Sequence, residues 1–226
     1  TRGVVLHRKD GHRYVVEETA SPITDRHGHL NGAVMVLHDV TETMALAERM
    51  ARLAQYDALT DLPNRVLLQD RARQALALAR REGKSLAVMY IDLDGFKQVN
   101  DRLGHDLGDE LLVQFARRMQ AAVRQSDTVC RQGGDEFVVL LPGLDGPQQS
   151  TAVARKVLAV GQAPFDLQGH EVRVGLSAGL ALFPQHGSAF EELARHADTA
   201  MYAAKRSGRM QVRSYAGAAQ EPELVA

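Results

Sequence analysis

The chain is poor in cysteine and tryptophan and carries almost no net charge. Its single cysteine, Cys130, excludes an internal disulfide and fits a reducing compartment. The ordinary interpretation of such a residue is a small buried hydrophobic side chain. The net charge of −1, with both signs interspersed, provides no basic stripe for nucleic acid or anionic lipid. Any phosphate ligand must therefore be held by a few local groups.

Long apolar runs are also absent, so the sequence predicts no membrane contact within this chain. With 226 residues, 45% hydrophobic and 24% charged, it has the composition of a globular protein with one large domain, alone or with an appendage. A chain without an initiator methionine is typical of a piece of a longer protein. We expect a cytoplasmic protein and leave membrane attachment of the parent chain open.

The first forty residues predict three strands, Val4–His7, Tyr14–Glu18 and Ala33–His38, without helices to cover them. Such a sheet is incomplete. Asp39 and Glu42 then form a helix-start pattern, and residues 41–56 are helical in composition. A 4-3-4-3 apolar spacing along this helix fits both a parallel coiled coil and a plain amphipathic helix.

From residue 86 the predicted order is β-α-β-β-α-β-β-α-β, preceded by a helix over 66–81. Its first half is the split βαβ pattern of ferredoxin-like and polymerase-palm folds, which predicts an α+β domain with a central sheet flanked by helices. The remaining segments are strands at 85–92, 171–176, 177–183 and 211–215, a loop at 96–109, helices at 109–124, 146–161 and 189–206, and a frayed tail or linker to a further domain at 217–226.

A β-hairpin is predicted around Gly133 and Gly134, which stand between two apolar runs. Asp135 and Glu136 begin its return strand. Paired glycines permit positive φ and the close approach of a ligand, so two acids beside them favour contact with a phosphate through a metal ion. Solvated acids beside an ordinary turn are the competing interpretation.

Asp92 and Asp94 end a nearly continuous apolar strand and project to one face of it. Together with the Leu93 carbonyl and the hairpin acids, they would form an all-oxygen site suited to Mg²⁺ or Mn²⁺. A strand end neutralised by Lys97 or Arg131 explains the same residues equally well.

Two further pairs fit a guanine nucleotide. The Asp109 carboxylate could accept from guanine N1–H and its amine while the Asn100 amide meets O6, an arrangement that rejects adenine. Lys205 and Arg209 lie four apart at a helix end, where both can reach one triphosphate. Cations that merely complement a helix dipole are the alternative for the second pair.

Five sequence blocks, in order, resemble the GGDEF family of diguanylate cyclases over about residues 56–215. They are Asp57-x-Leu59-Thr60-x-Leu62-x-Asn64-Arg65, Asp92-x-Asp94-x-Phe96-Lys97-x-x-Asn100-Asp101 with Gly104-His105-x-x-Gly108-Asp109, Gly133-Gly134-Asp135-Glu136-Phe137, Ser177-x-Gly179-x-Ala181-x-x-Pro184, and Asp198-x-Ala200-Met201-Tyr202-x-Ala204-Lys205-x-x-Gly208-Arg209. The chain departs from the family at Met210, where asparagine often stands.

The resemblance implies a Mg²⁺- or Mn²⁺-dependent, homodimeric enzyme that condenses two GTP into cyclic di-GMP. It implies a metal site of Asp92, the Leu93 carbonyl, Asp135 and Glu136, with Glu136 as a further ligand or the base. The other implied roles are catalysis by Asp135, Glu136 and Lys97, and substrate binding by Gly95, Phe96, Asn100, His105, Asp109, Lys205 and Arg209.

The resemblance also implies feedback inhibition by the product. Arg124 and Asp127 have the spacing of the family's inhibitory site, and Arg155 is a candidate second arm. An exposed ion pair of little energetic value is the alternative. The first forty residues resemble the end of a PAS sensor domain. The competing function is a catalytically silent module that binds GTP or cyclic di-GMP beside a downstream phosphodiesterase domain.

Overall fold

The computed structural model of the protein describes residues 4–217 and 223–225. The chain divides into two compact units, Thr1–Ala54 and Gln55–Ala226. Most of the expected tail or linker at 217–226 lies outside the described residues. Its described end forms a short strand, β11 (Glu223–Leu224), which pairs with the preceding strand of the larger unit.

The smaller unit is an antiparallel sheet in the order β1-β2-β3, formed by β1 (Val4–His7), β2 (Arg13–Thr24) and β3 (Leu30–Asp39). All three predicted strands are present, and β2 and β3 are longer than predicted. Helix α1 (Thr41–Gln55) follows, with the Asp39 carboxylate accepting hydrogen bonds from the Thr41 backbone N–H and hydroxyl. Both β1 and β3 are exposed along their whole length.

The larger unit is built on a six-stranded sheet in the order β11-β10-β9-β4-β6-β5. Its strands pair antiparallel except for the parallel pair β9 and β10. The elements are α2 (Arg65–Glu82), β4 (Ser85–Asp94), α3 (Phe96–Leu103), α4 (His105–Ala122), β5 (Thr128–Gly133), β6 (Glu136–Leu144), α5 (Pro147–Gln162), β7 (Phe165–Leu167), β8 (His170–Val172), β9 (Gly175–Phe183), α6 (Phe190–Arg206) and β10 (Val212–Ser214).

Strand β4 is the centre of this unit because its alternate side chains enter different cores. Met89 and Ile91 pack in a cluster with residues of α4 and α5. Leu86 and Val88 pack in the opposite cluster with residues of α2 and α6. A strand covered on both faces has few polar positions, which explains its nearly continuous apolar sequence.

Two predictions for this unit were wrong. Residues 96–109 form no loop, because α3 and the start of α4 occupy most of them; Gly95 and Gly104 have φ of 84° and 87° and mark helix boundaries. The two strands predicted at 171–176 and 177–183 are instead the end of a small β7–β8 hairpin and one long strand, β9. The central hairpin is confirmed as β5 and β6.

Candidate active site

A pocket of about 480 Å³ lies at the end of β4, where the chain leaves the sheet and enters α3. The central hairpin and the end of α6 complete its walls. Its lining residues are Asp92, Leu93, Asp94, Gly95, Phe96, Lys97, Gln98, Asp101, Asp135, Lys205 and Arg209. Most of the residues expected to bind metal and phosphates therefore meet in one place, joined by Gln98 and Asp101.

Asp92 is one of two acids in this pocket whose side chains are largely buried. It lies opposite Glu136 in the β4–β6 pairing, and the next backbone N–H, of Leu93, donates to the Asp135 carbonyl at 3.2 Å. Burial raises the pKa of Asp92, and the charges of Asp135 and Asp94 act in the same direction, while the hydrogen bond from Lys205 opposes them. Burial and neighbouring negative charges thus disfavour the ionised form of Asp92, and a nearby cation stabilises that form.

Lys205 supplies that cation from the last turn of α6. Its Nζ lies 2.6 Å from Asp92 Oδ2, and the two side chains are 29% and 11% exposed. The sequence offered Lys97 or Arg131 as the counter-ion instead. Lys97 is exposed at the pocket, and Arg131 pairs with Asp57, so neither prediction of the partner was right.

The position of α6 depends on Gly179 in β9. A Cβ at Gly179 would lie 2.0 Å from the Ala197 carbonyl oxygen and 2.1 Å from the Met201 nitrogen, so only glycine lets the helix approach the sheet this closely. This contact brings the end of α6 to the end of β4. The side chains of Lys205 and Asp92 meet as a consequence of packing between distant segments.

The donor set fits a hard divalent cation. Asp92 and Asp135 provide carboxylates close enough to interact electrostatically, and oxygen donors are the ligands that Mg²⁺ prefers. Among residues 4–217 and 223–225, no three side chains of histidine, cysteine, aspartate or glutamate are arranged to hold a metal ion. Mg²⁺ commonly binds through one or two carboxylates and the phosphates of its substrate, so a two-carboxylate site suffices.

The expected guanine-binding residues lie beside the pocket, where α3 meets α4. Asn100 packs against Gly108, since a Cβ at Gly108 would lie 1.8 Å from Asn100 Oδ1. That oxygen is buried and has no hydrogen-bond partner within the described part of the chain. Asp109 and His105 are exposed on the first turns of α4. A buried polar atom without a partner is unusual and fits a ligand-binding role.

The expected inhibitory site lies elsewhere, after α4. Arg124 Nε is 2.9 Å from Asp127 Oδ1, and the Arg124 Nη2 donates to the Pro142 carbonyl at 2.6 Å. The Asp127 side chain is 1% exposed and that of Arg124 is 52% exposed, so this is more than a solvated surface pair. Lys156, the neighbour of the exposed Arg155, lines a groove with Arg124 and Asp127.

Sequence reasoning missed one residue that shapes the pocket. The Ser177 hydroxyl, on β9, donates to both carboxylate oxygens of Asp94, at 2.9 and 3.1 Å. Ser177 lies in one of the blocks that carry the family resemblance, but nothing in its spacing indicates which acid it contacts. Only the antiparallel pairing of β4 and β9 brings the two residues together.

An α+β domain with carboxylates at the end of its central strand and cations from a neighbouring helix belongs to the palm-like class of folds. The description "Diguanylate cyclase, GGDEF domain" applies to the family whose profile matches residues 54–211. The chain therefore belongs to the GGDEF family.

Individual relatives agree with this assignment. The chain is 46% identical over 168 residues to the bifunctional diguanylate cyclase/cyclic di-GMP phosphodiesterase MucR of Pseudomonas aeruginosa, covering 74% of this chain and 24% of MucR. It is similar to the solved GGDEF domain of TpbB from P. aeruginosa, with a TM-score of 0.69, 43% identity, and coverage of 71% and 94% of the two chains.

A third relative is the coiled coil and GGDEF domain of DgcB from Caulobacter crescentus, solved in complex with c-di-GMP. Its TM-score is 0.68 at 26% identity, with coverage of 77% of this chain and 93% of that chain. These solved structures confirm the predicted fold class, an α+β domain with a central sheet flanked by helices, and are consistent with the nucleotidyl-cyclase-like fold. The chain spans about a quarter of the length of MucR. No helix within the described residues is both long and apolar enough to cross a membrane.

Proposed function

We propose that this protein is a diguanylate cyclase that condenses two GTP into cyclic di-GMP and two pyrophosphates. The observation that carries this proposal is the meeting of Asp92, Asp135, Lys205 and Arg209 around one open pocket. Acids and cations lining the same pocket suit a triphosphate accompanied by a divalent ion. Cyclase activity in the names of several relatives supports the same reaction.

In each of the two condensation steps, the 3′-hydroxyl oxygen of one GTP bonds to the α-phosphorus of the other, and pyrophosphate leaves. Asp92, the Leu93 carbonyl and Asp135 would hold Mg²⁺, which neutralises charge on the phosphates when bound. Glu136 is exposed at the start of β6 and is the candidate acceptor of the hydroxyl proton. Lys205, Arg209 and Lys97, with the chain at Gly95 and Phe96, would hold the phosphates.

Guanine recognition is assigned to Asn100 and Asp109, with His105 lining the nucleotide site. The position of Asn100 beside the pocket, packed against Gly108 where α3 meets α4, supports this assignment. A base that left this amide unsatisfied would bind poorly, because an unpaired buried polar group is costly.

One domain of this kind binds one GTP, so the reaction requires two copies facing each other. We therefore propose a homodimer, with residues 41–56 as a coiled-coil-like linker and residues 1–40 as the end of a PAS sensor domain. The exposed Met44, Met50 and Leu53 of α1 support a partner helix. The coiled coil named for DgcB supports the same arrangement.

Product inhibition through Arg124 and Asp127, with Arg155 as a second arm, is part of the proposal. The buried Asp127 fixes the Arg124 side chain beside an open groove. We expect Arg124→Ala to weaken binding of cyclic di-GMP and to relieve inhibition, whereas unchanged product affinity would contradict this site. Lys84→Ala, which removes an exposed cation paired with Asp145, is the control.

The reaction is tested by incubating the chain with GTP and Mg²⁺ and measuring cyclic di-GMP and pyrophosphate. Asp135→Asn should abolish product formation. Asp145→Asn, which changes an exposed acid directly after the end of β6, should not. Tight GTP binding by a demonstrably dimeric protein without product would favour the alternative, a silent nucleotide-binding module. The name of MucR combines cyclase and phosphodiesterase activities, and this supports a phosphodiesterase domain downstream in the alternative.

A further inference from the structure

Asp94 lies two residues beyond Asp92 in the same strand but has a different set of partners. Both of its oxygens accept from the Ser177 hydroxyl, Oδ2 also accepts from the Met210 backbone N–H at 3.1 Å, and Oδ1 lies 3.8 Å from Arg209 Nε. The Asp94 side chain is 8% exposed. Its acceptor capacity is therefore directed at the protein and away from a metal ion.

The turn that Asp94 holds has an uncommon backbone. Gly208, Arg209 and Met210 have φ values of 109°, 60° and 50°, so two consecutive non-glycine residues occupy the left-handed region. Side chains disfavour this region, so the conformation persists only where its surroundings fix it.

Two contacts besides the Asp94 bond fix this turn. A Cβ at Gly175 would lie 2.5 Å from Met210 Cγ, so the methionine packs over a glycine that faces Asp94 across the β4–β9 pair. The Gln211 amide donates to the carbonyls of Ala204, Ser207 and Arg209.

We propose that Asp94 is a positioning residue that holds Arg209 at the phosphate pocket. This inference rests on the proposed function, in which Arg209 binds the triphosphate. A guanidinium has five N–H donors, and pairing Nε with Asp94 leaves both Nη groups for a phosphate. The pair also restricts a side chain that is 63% exposed and would otherwise sample many rotamers.

The test compares two nucleotides that share guanine but differ in phosphates. Binding of 3′-deoxy-GTP, which lacks the attacking hydroxyl, and of GMP is measured by calorimetry on the whole chain with Mg²⁺. Asp94→Ala should weaken 3′-deoxy-GTP binding roughly tenfold, because an unrestrained Arg209 side chain loses more rotamer entropy when it binds the phosphates, and should weaken GMP binding less than twofold. Arg209→Ala should do the same, and the double variant should add little to either single change.

Val88→Ala, a buried change in the same strand with no contact to the pocket, controls for lost stability. Equal weakening of both nucleotides by Asp94→Ala, or additive effects of the two substitutions, would overturn the inference. If Asp94→Ala leaves binding of 3′-deoxy-GTP unchanged, the inference is overturned but the proposed function is not. Wild-type protein that binds neither nucleotide would overturn the proposed function as well.

Discussion

Arg131, in the strand that enters the Gly-Gly turn, forms an ion pair with Asp57, in the segment before α2. Arg131 Nη1 is 2.9 Å from Asp57 Oδ1, and the Arg131 side chain is 10% exposed. The same guanidinium donates through Nε and Nη2 to the Gly134 carbonyl, at 3.0 and 2.9 Å. The turn that presents Asp135 is thereby fixed to the beginning of the larger unit.

Asp57→Asn should reduce the free energy of unfolding by roughly 3 kcal/mol at neutral pH, because it leaves the Arg131 charge buried without its partner. Burial alone raises the pKa of Asp57, but hydrogen bonds from Thr60 and Arg131 outweigh it and lower the pKa below its ordinary 3.8. The ionised carboxylate therefore stabilises the fold above pH 3.8, and this contribution is lost as pH falls through the lowered pKa.

The measurement is denaturant unfolding of wild type and Asp57→Asn at neutral pH and below pH 4. Thr60→Ala, which removes the Thr60 hydroxyl bond to Asp57 but keeps the ion pair, should cost about 1 kcal/mol. A difference between wild type and Asp57→Asn that stays constant into the acid range would contradict the assigned cause.

The ion pair of Lys205 and Asp92 predicts that metal binding is weak in the absence of nucleotide. Lys205→Met removes the competing ammonium and should tighten Mn²⁺ binding to the nucleotide-free protein by roughly tenfold, measured by electron paramagnetic resonance. Lys97→Met removes an equal charge from the same pocket without breaking a bond to Asp92 and should have a smaller effect. Equal effects of both substitutions, or looser binding in Lys205→Met, would refute the competition.

Gly108→Ala should separate stability from guanine recognition. Alanine in a helix interior is favoured over glycine by about 1 kcal/mol, but its Cβ would displace the end of the Asn100 side chain. We expect a melting temperature close to that of wild type, a several-fold loss of GTP affinity, and a smaller preference for GTP over ATP.

The matched variant is Gly161→Ala in α5, where the added Cβ meets Leu176 at 3.2 Å and lies outside the pocket. Nucleotide preference retained in Gly108→Ala would show that Asn100 does not read the base.

His186 should make the larger unit less stable in mild acid. Its Nδ1 accepts from the Leu182 backbone N–H at 3.1 Å, and burial, followed by nearby His196, lowers the pKa of His186 below 6.5, with Glu223 opposing. The unfolded chain takes up a proton near pH 6.5 and the folded chain does not, so the free energy of unfolding falls as pH drops below this value.

His186→Asn keeps an acceptor near the Leu182 N–H and loses the charge, so it should flatten the decline between pH 7.5 and 5.5 in denaturant unfolding. His170→Asn, at an exposed position of β8, serves as the control. A decline equally steep in His186→Asn would assign the acid sensitivity to another group.

The sequence was most informative where one local pattern sufficed. The apolar run of β4 and the Gly-Gly turn both predicted their structures, because a strand between two cores and a tight hairpin each need such residues. The helix α3 was missed because residues 96–109 are rich in polar side chains and contain two glycines, Gly104 and Gly108, which is typical of a loop. The prediction placed a strand boundary at Ser177. In the structure Ser177 lies within the continuous strand β9, and its hydroxyl donates to Asp94.

Contacts between distant segments could not be predicted in this way. The partner of Asp92 is Lys205 because Gly179 admits α6 to the sheet, and no spacing in the sequence encodes that approach. The family resemblance supplied the roles of these residues, while the structure shows which charges neutralise each other without nucleotide. The catalytic, metal-binding, substrate-binding and inhibitory roles assigned to individual residues stay predictions.

The bond between Met210 and Asp94 joins residues 116 positions apart, and β4, the central hairpin and α6 all contribute to the same pocket. On the proposed function, a nascent chain therefore has no complete nucleotide site until its last long helix has docked. Nucleotide affinity would then report whether folding is complete. GTP in the cell would protect fully folded molecules against proteolysis, because it binds the folded state alone.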